Sequence, residues 1–187
     1  MSNYIIFIEG PDNVGKSSQI HEINRFFYPK IMFHTLHYGG VRKPGITSEQ
    51  YLDYSQKYYS DMFRMIYMAN TQNINLILDR SHCGEFVYSQ KYRGYSGDYI
   101  FGLEKAWESE LSNSFLITFI DEPKNLIARE DGYSFSTNLE DKKEEISKFI
   151  EVHENSNIPH KFLLNIKDYG IKEVSEIICS WLEAEMK

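Results

Sequence analysis

Cysteine is scarce in this chain. Cys83 and Cys179 are the only two in 187 residues, too few for a disulfide framework, so burial and not covalent bridging must hold the fold. A reducing, intracellular and cytoplasmic setting is the expected one. Positive charge is also short. Lys and Arg number 20 against 27 Asp and Glu, a net charge of −7, which argues against broad, sequence-independent binding of duplex DNA. Stable nucleic-acid binding is not expected, although a local basic pocket acting on DNA stays open. There is no run of 18 apolar residues and so no expected membrane span. Met1-Ser2-Asn3 leads straight into an apolar run, without the pattern of a secretion signal. Internal repeats and low-complexity segments are absent. The histidines lack zinc-ligand spacing: His34 and His37 fall together, His153 and His160 elsewhere. What the chain has in quantity is aromatics, 14 Tyr and 12 Phe, enough to build a core. A single domain over 1–187 is expected.

One stretch organises the rest. Gly10-Pro11-Asp12-Asn13-Val14-Gly15-Lys16-Ser17-Ser18 follows the apolar Tyr4–Ile8 and precedes a helical pattern. It fits G-x-x-x-x-G-K-[ST], the phosphate-binding P-loop, in the strand–loop–helix context the motif requires. Gly10 and Gly15 permit backbone angles closed to other residues, so successive N–H groups can turn toward one anion. The helix beginning near Lys16 adds its positive dipole end. Lys16 is expected on the β- and γ-phosphates of ATP, and Ser17 on Mg²⁺.

Ile20, Ile23, Phe26 and Phe27 recur at helical spacing over 15–27, and Tyr28-Pro29 ends that helix. A second strand is expected over 31–36, then a glycine-rich loop through Arg42-Lys43-Pro44-Gly45. Thr47 or Ser48 caps a long helix over about 49–70, with Leu52, Tyr58, Met62, Phe63, Ile66 and Tyr67 as its apolar stripe. Leu76–Leu78 ends in Asp79-Arg80. Residues 84–112 read as helix broken near 94–97. A fourth strand covers 115–120, a short helix runs to about Glu130, and a polar lid spans about 129–143. Helix returns over 139–154, a fifth strand covers 162–166, and a last amphipathic helix carries Ile171 to Leu182. Apolar strands alternating with helices predict an α/β fold with a parallel sheet covered on both faces. The ligand crevice of such a sheet lies outside the strands' carboxyl ends.

Asp79-Arg80 at the end of the third strand is a second, independent signal. The carboxylate suits Mg²⁺ and the guanidinium suits phosphate; a strand-end salt bridge is the ordinary alternative. With Glu9-Gly-Pro-Asp-Asn-Val-Gly-Lys-Ser-Ser18 and Arg42-Lys43-Pro44-Gly45, these residues resemble the thymidylate kinases. The resemblance implies a P-loop NTPase fold of the nucleoside-monophosphate kinase type, with a five-stranded sheet in order 2-3-1-4-5 and a lid. It also implies transfer of the γ-phosphoryl of ATP to dTMP and a homodimer. By that resemblance Asp12 touches the acceptor sugar or its phosphate, and Arg42 and Arg80 hold that phosphate. Lys16 stabilises the migrating group, Phe63 stacks on the base, and Arg64 reads its edge. Core packing is the ordinary explanation of Phe63. Asp79 through Arg93 resembles phage-encoded thymidylate kinase-like proteins, for which the host cytoplasm would be the setting. It supplies Glu85, Tyr88 and Arg93 as acceptor-pocket candidates.

The departures from the family keep other acceptors open. Lys43 replaces a glutamate. Ser81 replaces a tyrosine, and Asp-Arg-Ser is what deoxynucleoside kinases carry. Relatives that phosphorylate a hydroxymethylated base in DNA leave that acceptor open too. The cations of the second-strand loop, which has no acid, favour an acceptor already bearing phosphate. Asn13 replaces any P-loop arginine, and the loop 131–138 has no Lys or Arg at all. Arg129 is therefore the lid cation expected, ahead of Lys142 and Lys143, whose ordinary reading is a solvated helix face. A lid without a cation also leaves room for a nucleotide-binding sensor that does not turn over.

Overall fold

The computed structural model of the chain describes residues 3–39 and 45–186. The elements are β1 (Ile5–Glu9), α1 (Lys16–Phe27), β2 (Phe33–His37), α2 (Ser48–Gln72), β3 (Asn75–Asp79), α3 (His82–Arg93) and α4 (Tyr99–Ala106). A 3-10 turn (Glu108–Leu111), β4 (Ser114–Ile120), α5 (Pro123–Ala128), α6 (Leu139–Asn155), β5 (His160–Asn165) and α7 (Ile171–Glu185) complete it. The five strands form one parallel sheet in the order β2-β3-β1-β4-β5, the expected order. Every β1 residue is buried, because β1 lies between β3 and β4 with helices over both faces.

The sheet's two-residue alternation divides the core. Ile5 and Phe7 point to the side of α2, α3 and α6, among Met62, Phe63, Phe86 and Phe149. Ile6 and Ile8 point to the side of α1 and α7, among Ile23, Phe27, Ile178 and Leu182. β2 is an edge strand, and none of its residues is fully buried. Among the described residues, no helix is long and apolar enough to cross a membrane.

The start of α2 forms as its sequence dictates. Thr47 Oγ1 accepts from the Gln50 N–H, and Gln50 Oε1 accepts from the Thr47 N–H, a reciprocal capping box. Its buried stripe differs in phase from the expected one. Ser55, Tyr59, Met62, Phe63, Ile66 and Ala69 face the core, whereas Tyr67 is exposed. The 3.6-residue period carries the stripe from Ile66 through Tyr59 to Ser55.

Candidate active site

The P-loop joins the carboxyl end of β1 to the first turn of α1. Gly10, Asn13 and Gly15 have φ of 140°, 66° and 91°, in the range that L side chains avoid. At Gly10 a Cβ would also lie 2.4 Å from the Phe119 carbonyl oxygen, so glycine is needed there for space as well as for conformation. Val14 anchors the loop in the core under α1. Ser17 and Ser18 are exposed at the start of α1, and Pro11 is buried. Lys16 folds over the loop: its Nζ donates to the Gly10 and Pro11 carbonyls at 2.7 Å each. Burial drives its pKa down to about 8, with Arg80 adding to the fall and Asp12, Glu9 and Asp79 opposing it. A buried ammonium resting on two neutral carbonyls is poised to accept an anion as partner.

The end of β3 faces this loop. Arg80 has φ 67°, a left-handed conformation rare for a long side chain. It is held by its own N–H on the Ile8 carbonyl and by its guanidinium, 2.7 Å from Asp12 Oδ1. Asp79 Oδ2 lies 2.9 Å from His37 Nδ1 at the end of β2. The exposed Ser17 hydroxyl and the Asp79 carboxylate are the oxygen donors a hard cation takes. They fit Mg²⁺ by chemistry, with Asp79 shared with His37.

Beyond Arg80 a cavity of about 280 Å³ opens, bordered by Glu9, Asp12, Arg80, Tyr88, Arg93 and Phe135, among others. Glu85 is wholly buried and accepts from Arg93, Tyr95 and Tyr99. That network fixes Arg93 at the cavity wall. The Tyr88 ring stacks on Phe135 of the loop 131–138, centroids 5.0 Å apart. The loop is also tied to the P-loop, since Asn13 Nδ2 donates to Glu130 Oε2 at 3.0 Å and to Ser134 Oγ at 3.1 Å.

Several expected residues stand elsewhere. Phe63 is 0% exposed and packs against His82 and Trp107. It presents no face for a base to stack on, a correction that follows from its place on the α2 stripe. Arg64, one position on, turns to solvent and pairs with Asp61 at 2.6 Å, so it does not reach the cavity. Arg129 does not border the cavity either. It closes on Asp121 and on the Asn125 carbonyl. Lys143 pairs with Glu140 in solvent, but Lys142 is 0% exposed and bonds to the buried Glu145 at 2.9 Å. Arg42 and Lys43 lie outside the described residues.

Glu9, expected at the crevice as the first residue of the P-loop stretch, was given no role of its own. It ends β1, borders the cavity and accepts from the Ser81 hydroxyl. Burial pushes its pKa up, against the pull of Ser81, Lys16, His82 and Arg80. A lone acid closing an apolar strand beside a P-loop was the available signal. Phe135 gave none, being one aromatic in a polar loop. His82, Cys83 and Glu104 place donor atoms within 4.8 Å of one another and are all buried. Glu104 there spends its oxygens on His82, Ser156 and Asn157, a hydrogen-bonded core under the Asp79-Arg80 turn.

No family model matches the chain, and no curated protein sequence matches it. Solved structures do. Thymidylate kinase from Candida albicans, described as revealing the origin of broad substrate specificity, superposes with a TM-score of 0.72 at 12% identity. The match covers 99% of this chain and 93% of that one. YorR protein from Bacillus subtilis, in complex with phosphorylated GDP, superposes with a TM-score of 0.66 at 19% identity, over 97% of each chain. At these identities the likeness is one of fold, a thymidylate kinase-like P-loop fold.

Proposed function

We propose that this chain is an ATP- and Mg²⁺-dependent nucleotide kinase whose acceptor is a deoxynucleoside monophosphate, in the first place dTMP, which it converts to dTDP. One observation carries the reading. The P-loop residues Asp12 and Asn13 border the same cavity as Arg80, and Lys16 folds over that loop onto the Gly10 and Pro11 carbonyls, so cations stand on the loop and at the cavity beside it. Phosphoryl transfer asks mainly for such positioning and for cations where charge spreads in the transition state.

The P-loop N–H groups and Lys16 would bind the donor phosphates, with Lys16 exchanging the Gly10 and Pro11 carbonyls for phosphate oxygens. Arg80 would take the acceptor phosphate, with Asp12 holding the guanidinium or the sugar. Tyr88 and Arg93 would bound the base, stiffened by Glu85. Ser17 and Asp79 would hold Mg²⁺, which when bound offsets phosphate charge. The lid loop on Asn13 would keep water out. Arg42 would add to the acceptor phosphate site. The partners implied are small nucleotides, with no membrane; a cytoplasmic homodimer is part of the same proposal.

An ADP-release assay across nucleoside monophosphates, nucleosides and hydroxymethylated DNA tests this. ADP release with dTMP above the other monophosphates supports it. Turnover with nucleosides alone would overturn it, and ATP binding without transfer to any acceptor would leave a nucleotide sensor.

A further inference from the structure

An acceptor base needs an aromatic face to lie on, and Phe63 is packed in the core. The cleft offers another. Tyr88 and Tyr92 stand one turn apart on α3, on one side of the helix. Both rings are held from the side of α6. Phe149 meets Tyr88 edge-on, centroids 5.9 Å apart, and Glu145 Oε1 accepts from the Tyr92 hydroxyl at 2.9 Å. Across these two fixed rings lies Phe135, a single side chain from the loop 131–138. Its ring is near parallel to both, 28° from Tyr88 at 5.0 Å and 21° from Tyr92 at 4.7 Å. Flat rings prefer such stacking, and a nucleobase would take the same place in the same way. We propose that Phe135 occupies the tyrosine shelf on which the acceptor's base stacks, and turns away from it when the base enters. The inference rests on the reading that this cleft takes a nucleoside monophosphate.

The size of the cavity supports this. It holds about 280 Å³ with Phe135 at its border, just under the usual range of small-molecule sites, about 300–1,000 Å³. Moving the Phe135 ring off Tyr88 enlarges it without disturbing the sheet or a helix. Tyr59 and Phe149, which also border the cavity, are buried members of the core, whereas Phe135 is half-buried. The movable piece is short. Residues 130–134 form one hydrogen-bonded bend, in which Glu130 Oε1 accepts from the Gly132 and Ser134 N–H groups, and that bend sits on Asn13. Asn138 Oδ1 accepts from the Glu140 and Asp141 N–H groups as the cap of α6. Residues 135–137 alone lie between these anchors, so Phe135 can leave the shelf while the bend stays on the P-loop. The Tyr88 hydroxyl is an independent sign of a ligand. Among the described residues it has no hydrogen-bond partner, although it is buried and its residue borders the cavity. An orphan of this kind is costly unless something arrives to meet it, and a nucleotide lying on the ring brings oxygens of its own.

The test compares wild-type protein with Phe135→Ala by calorimetric binding of dTMP and of deoxyribose 5-phosphate, which carries the phosphate but no base. Wild-type protein must break two ring stacks before a base can bind, and that conformational cost lowers its apparent affinity. Phe135→Ala should therefore bind dTMP about 10-fold more tightly, with deoxyribose 5-phosphate unchanged. A second readout needs no variant: dTMP should speed amide hydrogen exchange at residues 135–137 of the wild-type chain. Equal or weaker binding of dTMP by Phe135→Ala would overturn the inference, as would a tightening shared by both ligands. Slower exchange at 135–137 with dTMP would overturn it too, because Phe135 would then close on the base as a wall. In each of these cases ADP release with dTMP leaves the kinase reading standing. Neither binding of dTMP nor ADP release with it, in either protein, would remove the acceptor reading and this inference with it.

Discussion

Lys142 and Glu145 offer a quantitative test of how α6 is built. Lys142 is 0% exposed and Glu145 1%. Among the described residues, the hydrogen-bond acceptor of Lys142 Nζ is Glu145 Oε2 at 2.9 Å, and Glu145 Oε1 accepts from the Tyr92 hydroxyl at 2.9 Å. Removing one member strands the other as a buried charge, which costs about 3–5 kcal/mol, whereas removing both charges together is close to neutral. Lys142→Met keeps the volume of the side chain, and Glu145→Gln keeps an acceptor for Tyr92. Each single variant should therefore lose about 3–5 kcal/mol by urea unfolding at unchanged slope. That corresponds to roughly 6–20 °C in Tm for a chain of this size. The double variant should return to within about 1 kcal/mol of the wild type. Single losses below about 1 kcal/mol, adding up in the double variant, would refute the reasoning, since that is the behaviour of an exposed pair.

Further outcomes follow from the same geometry. Lys16→Ala should lower phosphoryl transfer by on the order of 100- to 1,000-fold, as loss of a transition-state charge partner does, with a Tm no lower than that of the wild type; near-normal turnover would show the site to be wrongly assigned. Because the pKa of Lys16 falls from 10.5 to about 8 on folding, the folded chain binds fewer protons than the unfolded one between those values. Stability without nucleotide should therefore rise from pH 8 to 10.5, by up to about 3 kcal/mol, and a flat profile in Lys16→Ala would identify the group. ATP binding should take up a proton near pH 9, read by calorimetry in buffers of different ionisation enthalpy. Phe63→Ala should cost about 3–5 kcal/mol of stability as a core deletion while leaving the acceptor KM within about twofold, in contrast to a base-stacking residue. Gly10→Ala should destabilise by several kcal/mol, since its Cβ would meet the Phe119 carbonyl at 2.4 Å.

The P-loop was legible because its requirements are contiguous. Two glycines, a lysine and a following helix lie within nine positions, and their positive φ angles follow from residue type. The parallel sheet was legible from alternation of strand and helix, and its order only through the family resemblance. Side-chain direction was harder, and two helices show why. Hydrophobic period places Phe63 on the inner face of α2, but an inner face can line a core or a cleft, and the choice depends on Trp107 and His82, far away in the chain. Along α6, Lys142–Glu145, Lys143–Glu140 and Lys148–Glu151 are all pairs three residues apart. By spacing they are indistinguishable, and a solvated face is the ordinary reading of each. Their fates differ because α6 packs on α3, where Tyr92 supplies a third partner from fifty residues earlier. The helix phase held a clue. Counting back from Phe149 by four and by seven reaches Glu145 and Lys142, so both fall on the stripe that Phe149 and Val152 define. A charge on an apolar stripe is a sign that a partner arrives from elsewhere in the fold. By the same argument Glu9, an acid on a strand otherwise wholly apolar, finds its partner in the Ser81 hydroxyl beyond the end of β3.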